Sequence, residues 1–450
     1  MRRPQSEQLP LVPAFHAHVR SRELEAMSQI LDAHPETAQW VLDDLVGDQV
    51  SARHGRGGLS GEQVLRVILV KQLGGFSYDE LAFYLADSTS YRAFCRIGIT
   101  QQIPTAKTLQ RNVKLVRPHT LEQINRLLVK YASATGLEDG QKLRVDCTVM
   151  ETNIHEPSDS SLLKDSVHVL TRLILRARKY VAIEFTNHRR CAKRRALAIQ
   201  HARTTEERLP LYQQLLKITE QTMTAAQQAL AAFATVYPPQ ALEDPEIDAL
   251  LNQLRHFLEL ARRVVDQTRR RIVHEEVVPA TEKLVSIFEP HADIIVKDRR
   301  DTLYGHKLCL ATGASGLITD CRVEKGNPAD STLTVGMIQR HTEIYNHPPR
   351  QVCFDGAFAS RDNLNKLKAL KVSEVVFTKS KGIAIDEMAR SEASFRKLRH
   401  FRAGIEATIS FLKRCVGWTR CTWRSLSSFQ AYTWASVVTA NLLHLARHQL

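Results

Sequence analysis

At 450 residues the chain is too long for one ordinary core and calls for two or three domains. Its hydrophobic content of 43% excludes wholesale disorder, and a net charge of +14 asks for a polyanionic partner, nucleic acid first. No apolar run approaches the roughly 18 residues of a membrane span, and "MRRPQSEQLP" lacks the apolar stretch of a secretory signal, so a cytoplasmic, nucleoid-associated protein with no membrane partner is expected.

Residues 1–140 read as an all-helical domain. Ser60 with Gln63 and Ser77 with Glu80 are spaced as capping boxes, and "VLRVILVKQL" and "LAFYLA" follow them with helical apolar spacing. Gly74 and Gly75 separate the two, and a further helix is expected from Thr105 in "PTAKTLQRNVKLV". Two short helices around a glycine turn fit a helix-turn-helix and equally a small bundle with no groove-reading role. At 142–154 the texture changes to "KLRVDCTVMETNI", with β-branched residues on alternate positions, which predicts a strand.

From about 160 to 285 the chain is helical again, with one break at "YPPQALEDPE" (237–246). Within 172–203 ten Lys or Arg stand against a single acid, Glu184, and Arg189, Arg190, Lys193, Arg194 and Arg195 are the densest part. That density favours a phosphate-contacting surface over an ordinary solvated face. Strands return in "HKLCLAT" (306–312) and "GLITDCRVEKG" (316–326), followed by a helix opened by Asp330. "QVCFD" (351–355) and "EVVFTK" (374–379) are further strands, with a helix capped by Ser360 between them, and helices at about 402–414 and 425–447 close the chain. The fold class expected is α/β. The helical block at 160–285 reads as an insertion after the first strand, because such alternation normally uses short connections.

Eight cysteines, at 95, 147, 191, 309, 321, 353, 415 and 421, include no C-x-x-C pair. This argues against structural zinc and against a disulfide framework, and reduced, mostly buried thiols are expected. The eighteen histidines are read as showing neither H-x-x-x-H nor H-E-x-x-H clustering, and a histidine-based metal site is not expected.

Three carboxylates carry the chemistry. Asp146 in "RVDCTV" and Asp355 in "CFDGAF" sit in or at the ends of buried strands, where an unpaired carboxylate is costly and needs a donor, a cation or a metal. Glu406 is the only acid between Arg396 and Arg424, and on a helix beginning near it Arg402 and Lys413 would share its face. A surface ion pair explains two of these residues but not the lone acid in a basic field. A metal-binding carboxylate flanked by phosphate-holding cations explains all three.

"RVDCTVMETNIHEPSDS", "YGHKLCLATGASGLI", "NPADSTL", "CFDGAFAS" and "KLRHFRAGIEATISFLKR" resemble blocks of bacterial insertion-sequence transposases of the DDE type, and "LSGEQVLRVILVKQLGGFSYDELAFYLADSTSYRAF" is similar to the helical domain preceding their catalytic core. The resemblance implies a ribonuclease H-like mixed sheet over 141–450, interrupted by the basic helical insertion and preceded by a probable DNA-binding domain at 1–140. It places Asp146 on the first strand, Asp355 on the fourth and Glu406 on the helix after the fifth. In the family the glutamate lies in a tyrosine, arginine, glutamate, lysine pattern. Arg402, Glu406 and Lys413 match it, whereas Arg399 stands at the tyrosine position. The implied catalytic and metal-binding residues are thus Asp146, Asp355 and Glu406, holding two Mg2+ or Mn2+ ions. Arg399, Arg402, Lys413 and Arg414, with the five basic residues of the insertion, would contact DNA.

The activity implied is cleavage at the element's terminal inverted repeats and joining of the 3′ ends to target DNA, by a homodimer or higher oligomer. The alternatives are an inactive relic that only binds DNA, or a related ribonuclease H-like nuclease. Inverted repeats flanking the coding sequence would separate the first reading from the others.

Overall fold

The computed structural model describes residue 4 and residues 18–47, 57–98, 100–237, 244–297, 301–379 and 381–450. Apart from residue 4, the N-terminal decapeptide lies outside the described residues, as does most of the break at 237–246.

Among the described residues seven helices come first: α1 (Val19–Asp32), α2 (Glu36–Val46), α3 (Gly61–Gly74), α4 (Tyr78–Asp87), α5 (Thr89–Phe94), α6 (Ala106–Val113) and α7 (Pro118–Ala134). Both capping boxes form: the Ser60 hydroxyl accepts from the Gln63 N–H while the Gln63 amide oxygen accepts from the Ser60 N–H, and Ser77 and Glu80 do the same for α4. Gly75, at φ +64°, ends α3 in the left-handed region that a residue without a Cβ adopts at no steric cost. Arg66, 1% exposed, donates to Glu62, Ser28, Asp32 and the Phe94 carbonyl, tying α1, α3 and α5 together.

β1 (Lys142–Thr152) follows, then α8 (Asp159–Ala177), α9 (Arg189–His201), α10 (Thr205–Val236) and α11 (Pro245–Thr268). The rest is β2 (Asp293–Lys297), β3 (Asp301–Thr312), β4 (Ile318–Val323), α12 (Asp330–Tyr345), β5 (Gln351–Phe354), α13 (Arg361–Ala369), β6 (Glu374–Phe377), α14 (Ile385–Met388), α15 (Glu392–Cys415), β7 (Arg420–Cys421) and α16 (Leu426–Gln449). The strands form one mixed sheet of order β2-β3-β1-β5-β6, with β4 on β3 and β7 on β1. β1, β5 and β6 run parallel, whereas β2 and β4 are antiparallel to β3.

The chain divides into two compact units, residues 1–153 with 306–450, and residues 154–305. No such boundary falls at residue 140: the N-terminal helices belong to the same unit as β1, β5 and β6. The physical reason is α16, which is buried nearly all round from Phe429 to Ala446 and packs against α1, α3 and α7. Asn441 on α16 donates to Asn125 on α7 and to the Ile318 carbonyl, and accepts from the Ile318 N–H. The alternation of β3 splits the apolar residues between two cores. Leu308 and Leu310 join α16 and the N-terminal helices, and Cys309 and Ala311 join Leu143, Val145, Phe354 and the buried faces of α12 and α13.

The second unit is a helical bundle of α8 to α11 around its own apolar core, with β2 pairing antiparallel to the first residues of β3. In α9, Ala192, Ala196 and Ile199 face the core and Arg189, Arg190, Lys193 and Arg194 face outward. Asp159 is buried, where it accepts from Gln267 at 3.2 Å and Arg271 at 2.7 Å, a structural role.

The strand over 293–297 was not foreseen, and α15 begins at Glu392 rather than near residue 402. Asp330 opens α12 as expected, but makes no capping hydrogen bond. The Asp330 carboxylate instead accepts from Lys307 Nζ at 2.9 Å. The eight cysteines are free, five of them buried, Cys147 and Cys191 half-buried and Cys415 exposed. Among the described residues no helix is long and apolar enough to cross a membrane.

Candidate active site

β1 and β5 lie side by side in parallel, with Val145 opposite Phe354. Asp146 and Asp355 are each the next residue, so this register brings the two acids together. Asp146 is within β1, while Asp355 lies just beyond β5, where the chain turns into a single 3-10 turn. The third acid comes from α15, which packs across β1 and β5. Ser391 caps this helix, and Phe395, Leu398, Ile405 and Leu412 form the buried stripe that seats it on the sheet. Glu406 lies well inside α15 rather than at its start.

The three acids meet on one guanidinium. Arg402 Nη2 lies 2.5 Å from Asp146 Oδ2 and 3.8 Å from Asp355 Oδ1, and Arg402 Nη1 lies 2.5 Å from Glu406 Oε1. Exposure is graded across the cluster: the side chain of Asp146 is 14% exposed, that of Asp355 39% and that of Glu406 64%. The cluster is thus rooted in the sheet and opens to solvent on the side of Glu406.

The two aspartates are tuned in opposite directions. Burial pushes the Asp146 carboxyl up to about 6, against the pull of Arg402 and the Cys147 N–H, and the nearby charges of Asp355 and Asp330 push the same way as burial. Burial also opposes ionisation of Asp355, but the Thr378 hydroxyl, the backbone N–H groups of Gly356 and Ala357, and Arg402 outweigh it and hold the group below the usual carboxylate value. Thr378 donates to Asp355 Oδ1 at 2.9 Å from the chain just after β6.

A second arginine sets the height of α15. Arg144, two residues before Asp146, projects from the same side of β1. Its Nε donates to Thr312 Oγ1 at 2.7 Å, its Nη1 donates to the Phe401 carbonyl at 2.9 Å, and its guanidinium lies over the Phe401 ring at 4.6 Å. A Cβ on Gly404 would fall on that guanidinium. Arg144 therefore binds the turn of α15 next to Arg402 to the strand bearing Asp146. Sequence reading missed it, although strand alternation puts it beside the acid.

With all three acids ionised the cluster carries two negative charges beyond what Arg402 neutralises, and every donor is a hard oxygen, which suits Mg2+ or Mn2+. Yet among the described residues no three His, Cys, Asp or Glu side chains stand together so as to hold a metal ion. Arg402 separates the acids. The donor set fits a divalent ion in kind, and in disposition only once that guanidinium has moved.

Among the cations of α15, Arg402 is paired with these acids. Arg399 and Arg414 are exposed, and Lys413 is half-buried with its carbonyl accepting from the Thr419 hydroxyl.

Two families match this chain. The family described as Transposase DDE domain matches residues 260–442, and the one described as Transposase domain (DUF772) matches residues 14–115. The chain belongs to the insertion-sequence transposases of the DDE type. No curated protein and no solved structure matches it. The DDE match takes in two of the transposase's three candidate acids, Asp355 and Glu406, with Arg399, Arg402, Lys413 and Arg414. Asp146 lies upstream of it, separated by α8 to α10, yet folds onto the same guanidinium. The other match spans α1 to α6 of the described helices.

Elsewhere in the transposase, His155 Nε2 lies 3.5 Å from Asp165 in the second unit. His444 and His448 on α16 form an H-x-x-x-H pair, which corrects the expectation that the histidines hold no such spacing. Their rings meet edge to face at 4.9 Å, and among the described residues no His, Cys, Asp or Glu joins them to complete a metal site. In the helical bundle, Arg189, Arg190, Lys193, Arg194 and Arg195 have no carboxylate partner among the described residues, which leaves α9 with a one-signed face.

Proposed function

We propose that this transposase cleaves the ends of its element and joins the 3′ ends to target DNA at a centre made of Asp146, Asp355 and Glu406. The sheet is read as a ribonuclease H-like core, with the bundle of α8 to α11 as an insertion after β1 and the N-terminal helices as a DNA-binding module. One observation carries the proposal: acids from three distant stretches of chain converge on a single guanidinium. Such a cluster is costly to assemble as a scaffold, because like charges repel and the largely buried Asp146 carboxylate must be compensated. Burial that opposes the Asp146 charge is common where chemistry sets the arrangement.

Asp146 and Asp355, adjacent across two strands, and Glu406 from α15 would hold two Mg2+ ions, or Mn2+. When bound, these ions activate the attacking hydroxyl and stabilise the leaving oxygen of the phosphodiester. The protein's part is alignment. Arg144 and the buried stripe of α15 keep Glu406 over the strands, Thr378 fixes Asp355, and Arg399, Lys413 and Arg414 hold the DNA backbone. The outer face of α9 provides a second phosphate-binding surface. The enzyme would act on double-stranded DNA in the cytoplasm, at the nucleoid, as a dimer or higher assembly that pairs two ends.

A nicking assay on duplex carrying the element's terminal repeat tests the centre. Asp146→Asn should abolish Mg2+-dependent nicking, a loss of at least about a hundredfold, while binding the duplex normally. Undiminished nicking by this variant would reject the triad.

A further inference from the structure

The position of Arg402 goes beyond alignment. We propose that Arg402 is a displaceable cation: it holds the shared seat of the three acids in the DNA-free transposase, and a phosphate of the DNA end must draw it away before divalent ions bind fully. Metal loading is thereby made to follow DNA binding. This inference rests on the reading of Asp146, Asp355 and Glu406 as metal ligands.

Three observations support it. Arg402 reaches all three acids at once, at 2.5, 3.8 and 2.5 Å, which a residue serving only to grip DNA has no reason to do. The oxygens it occupies, Asp146 Oδ2 and Glu406 Oε1, are those an ion at about 2.0–2.1 Å would use, so guanidinium and metal compete for the same lone pairs as well as repelling each other. Finally, Arg402 Nε is buried and has no hydrogen-bond partner among the described residues. The fork is therefore incompletely satisfied where it sits, and a planar guanidinium matches a phosphate in a two-bond geometry. Since Arg402 lies one turn from Glu406 on α15, withdrawal needs only side-chain rotation and leaves the helix on Arg144.

Such an arrangement couples two ligands, and coupling is reciprocal. DNA raises affinity for the ion, and the ion raises affinity for DNA. It also offsets part of the charge on the metal-free carboxylates, so an idle enzyme is not loaded for hydrolysis away from its ends.

The test is Mn2+ titration by calorimetry and by the loss of the free-ion electron paramagnetic resonance signal, without DNA, on wild type, Arg402→Gln and Asp146→Asn. Arg402→Gln should bind Mn2+ about tenfold more tightly than wild type, within the usual range of such couplings. A terminal-repeat duplex should raise wild-type affinity by a similar factor and that of Arg402→Gln by much less. Arg402→Lys, which keeps the charge on a chain less suited to bridging the acids, should fall between. Affinity in Arg402→Gln equal to or below that of wild type overturns the inference, as does an equal gain from DNA in both proteins. A failure of the triad reading would look different: Asp146→Asn would then bind Mn2+ as wild type does.

Discussion

Asp146 holds opposing demands within one carboxyl group. Its value, raised to about 6 from the usual 3.8, means that the folded protein binds this proton more tightly than the unfolded chain. Its contribution to stability is therefore complete below about 3.8 and is lost as pH rises through about 6, by about 3 kcal/mol at neutral pH. Catalysis runs the other way, because a protonated acid is a poor ligand. Nicking should fall as pH drops through about 6, while the melting temperature of the metal-free protein at pH 5 gains relative to pH 7.5, and this gain should shrink in Asp146→Asn. A pH–rate profile and melting curves check both; a nicking rate flat between pH 7.5 and 5 would contradict the assignment of Asp146. At this scale much was legible in advance. One acid inside a strand, one at a strand's end and one in a field of arginines and lysines are anomalies of residue type and neighbourhood, visible without coordinates. Arg144 was not, since alternation puts it on the side of Asp146 but nothing local says that it will meet Phe401.

α15 turns three separate acids into one cluster. Its start was misjudged because "SEASFRKLRHF" looks like a charged surface, whereas Phe395, Leu398, Ile405 and Leu412 mark a buried stripe every three or seven residues. The helix is held to β1 by the clasp of Arg144 on Phe401, which the bare face of Gly404 makes room for. Gly404→Ala should push the guanidinium from Thr312 and the Phe401 carbonyl, costing about 1–3 kcal/mol. The expected outcome is a lower melting temperature together with slower end cleavage, because Glu406 and Arg402 shift with the helix. A variant with both quantities unchanged would remove the clasp from the account. β2 escaped notice for a simpler reason: five residues, "DIIVK", are too few for a periodicity to emerge.

Across the whole molecule, the order of elements was readable and the grouping was not. Sequence suggested a helical domain ending at residue 140, yet those helices share a unit with the sheet, because α16, from the far end of the chain, completes their core. Its run "AYTWASVVTANLLHLA" is apolar on every side, the one sign in the sequence that it would be enclosed. The bundle of α8 to α11 stands as its own unit, and α9 concentrates on one face part of the excess charge of +14. Replacing Arg189, Arg190, Lys193 and Arg194 together with alanine should weaken DNA binding and flatten the dependence of log affinity on log salt by about three to four units. An unchanged slope would show that this face touches no phosphates.

The most direct measurement is a crystal structure of the transposase with terminal-repeat DNA and Mn2+, read by anomalous scattering. The account predicts two anomalous peaks about 3.5–4 Å apart, ligated by Asp146, Asp355 and Glu406, with Arg402 turned onto a phosphate. Peaks elsewhere, or a centre that leaves out any of the three acids, would contradict it.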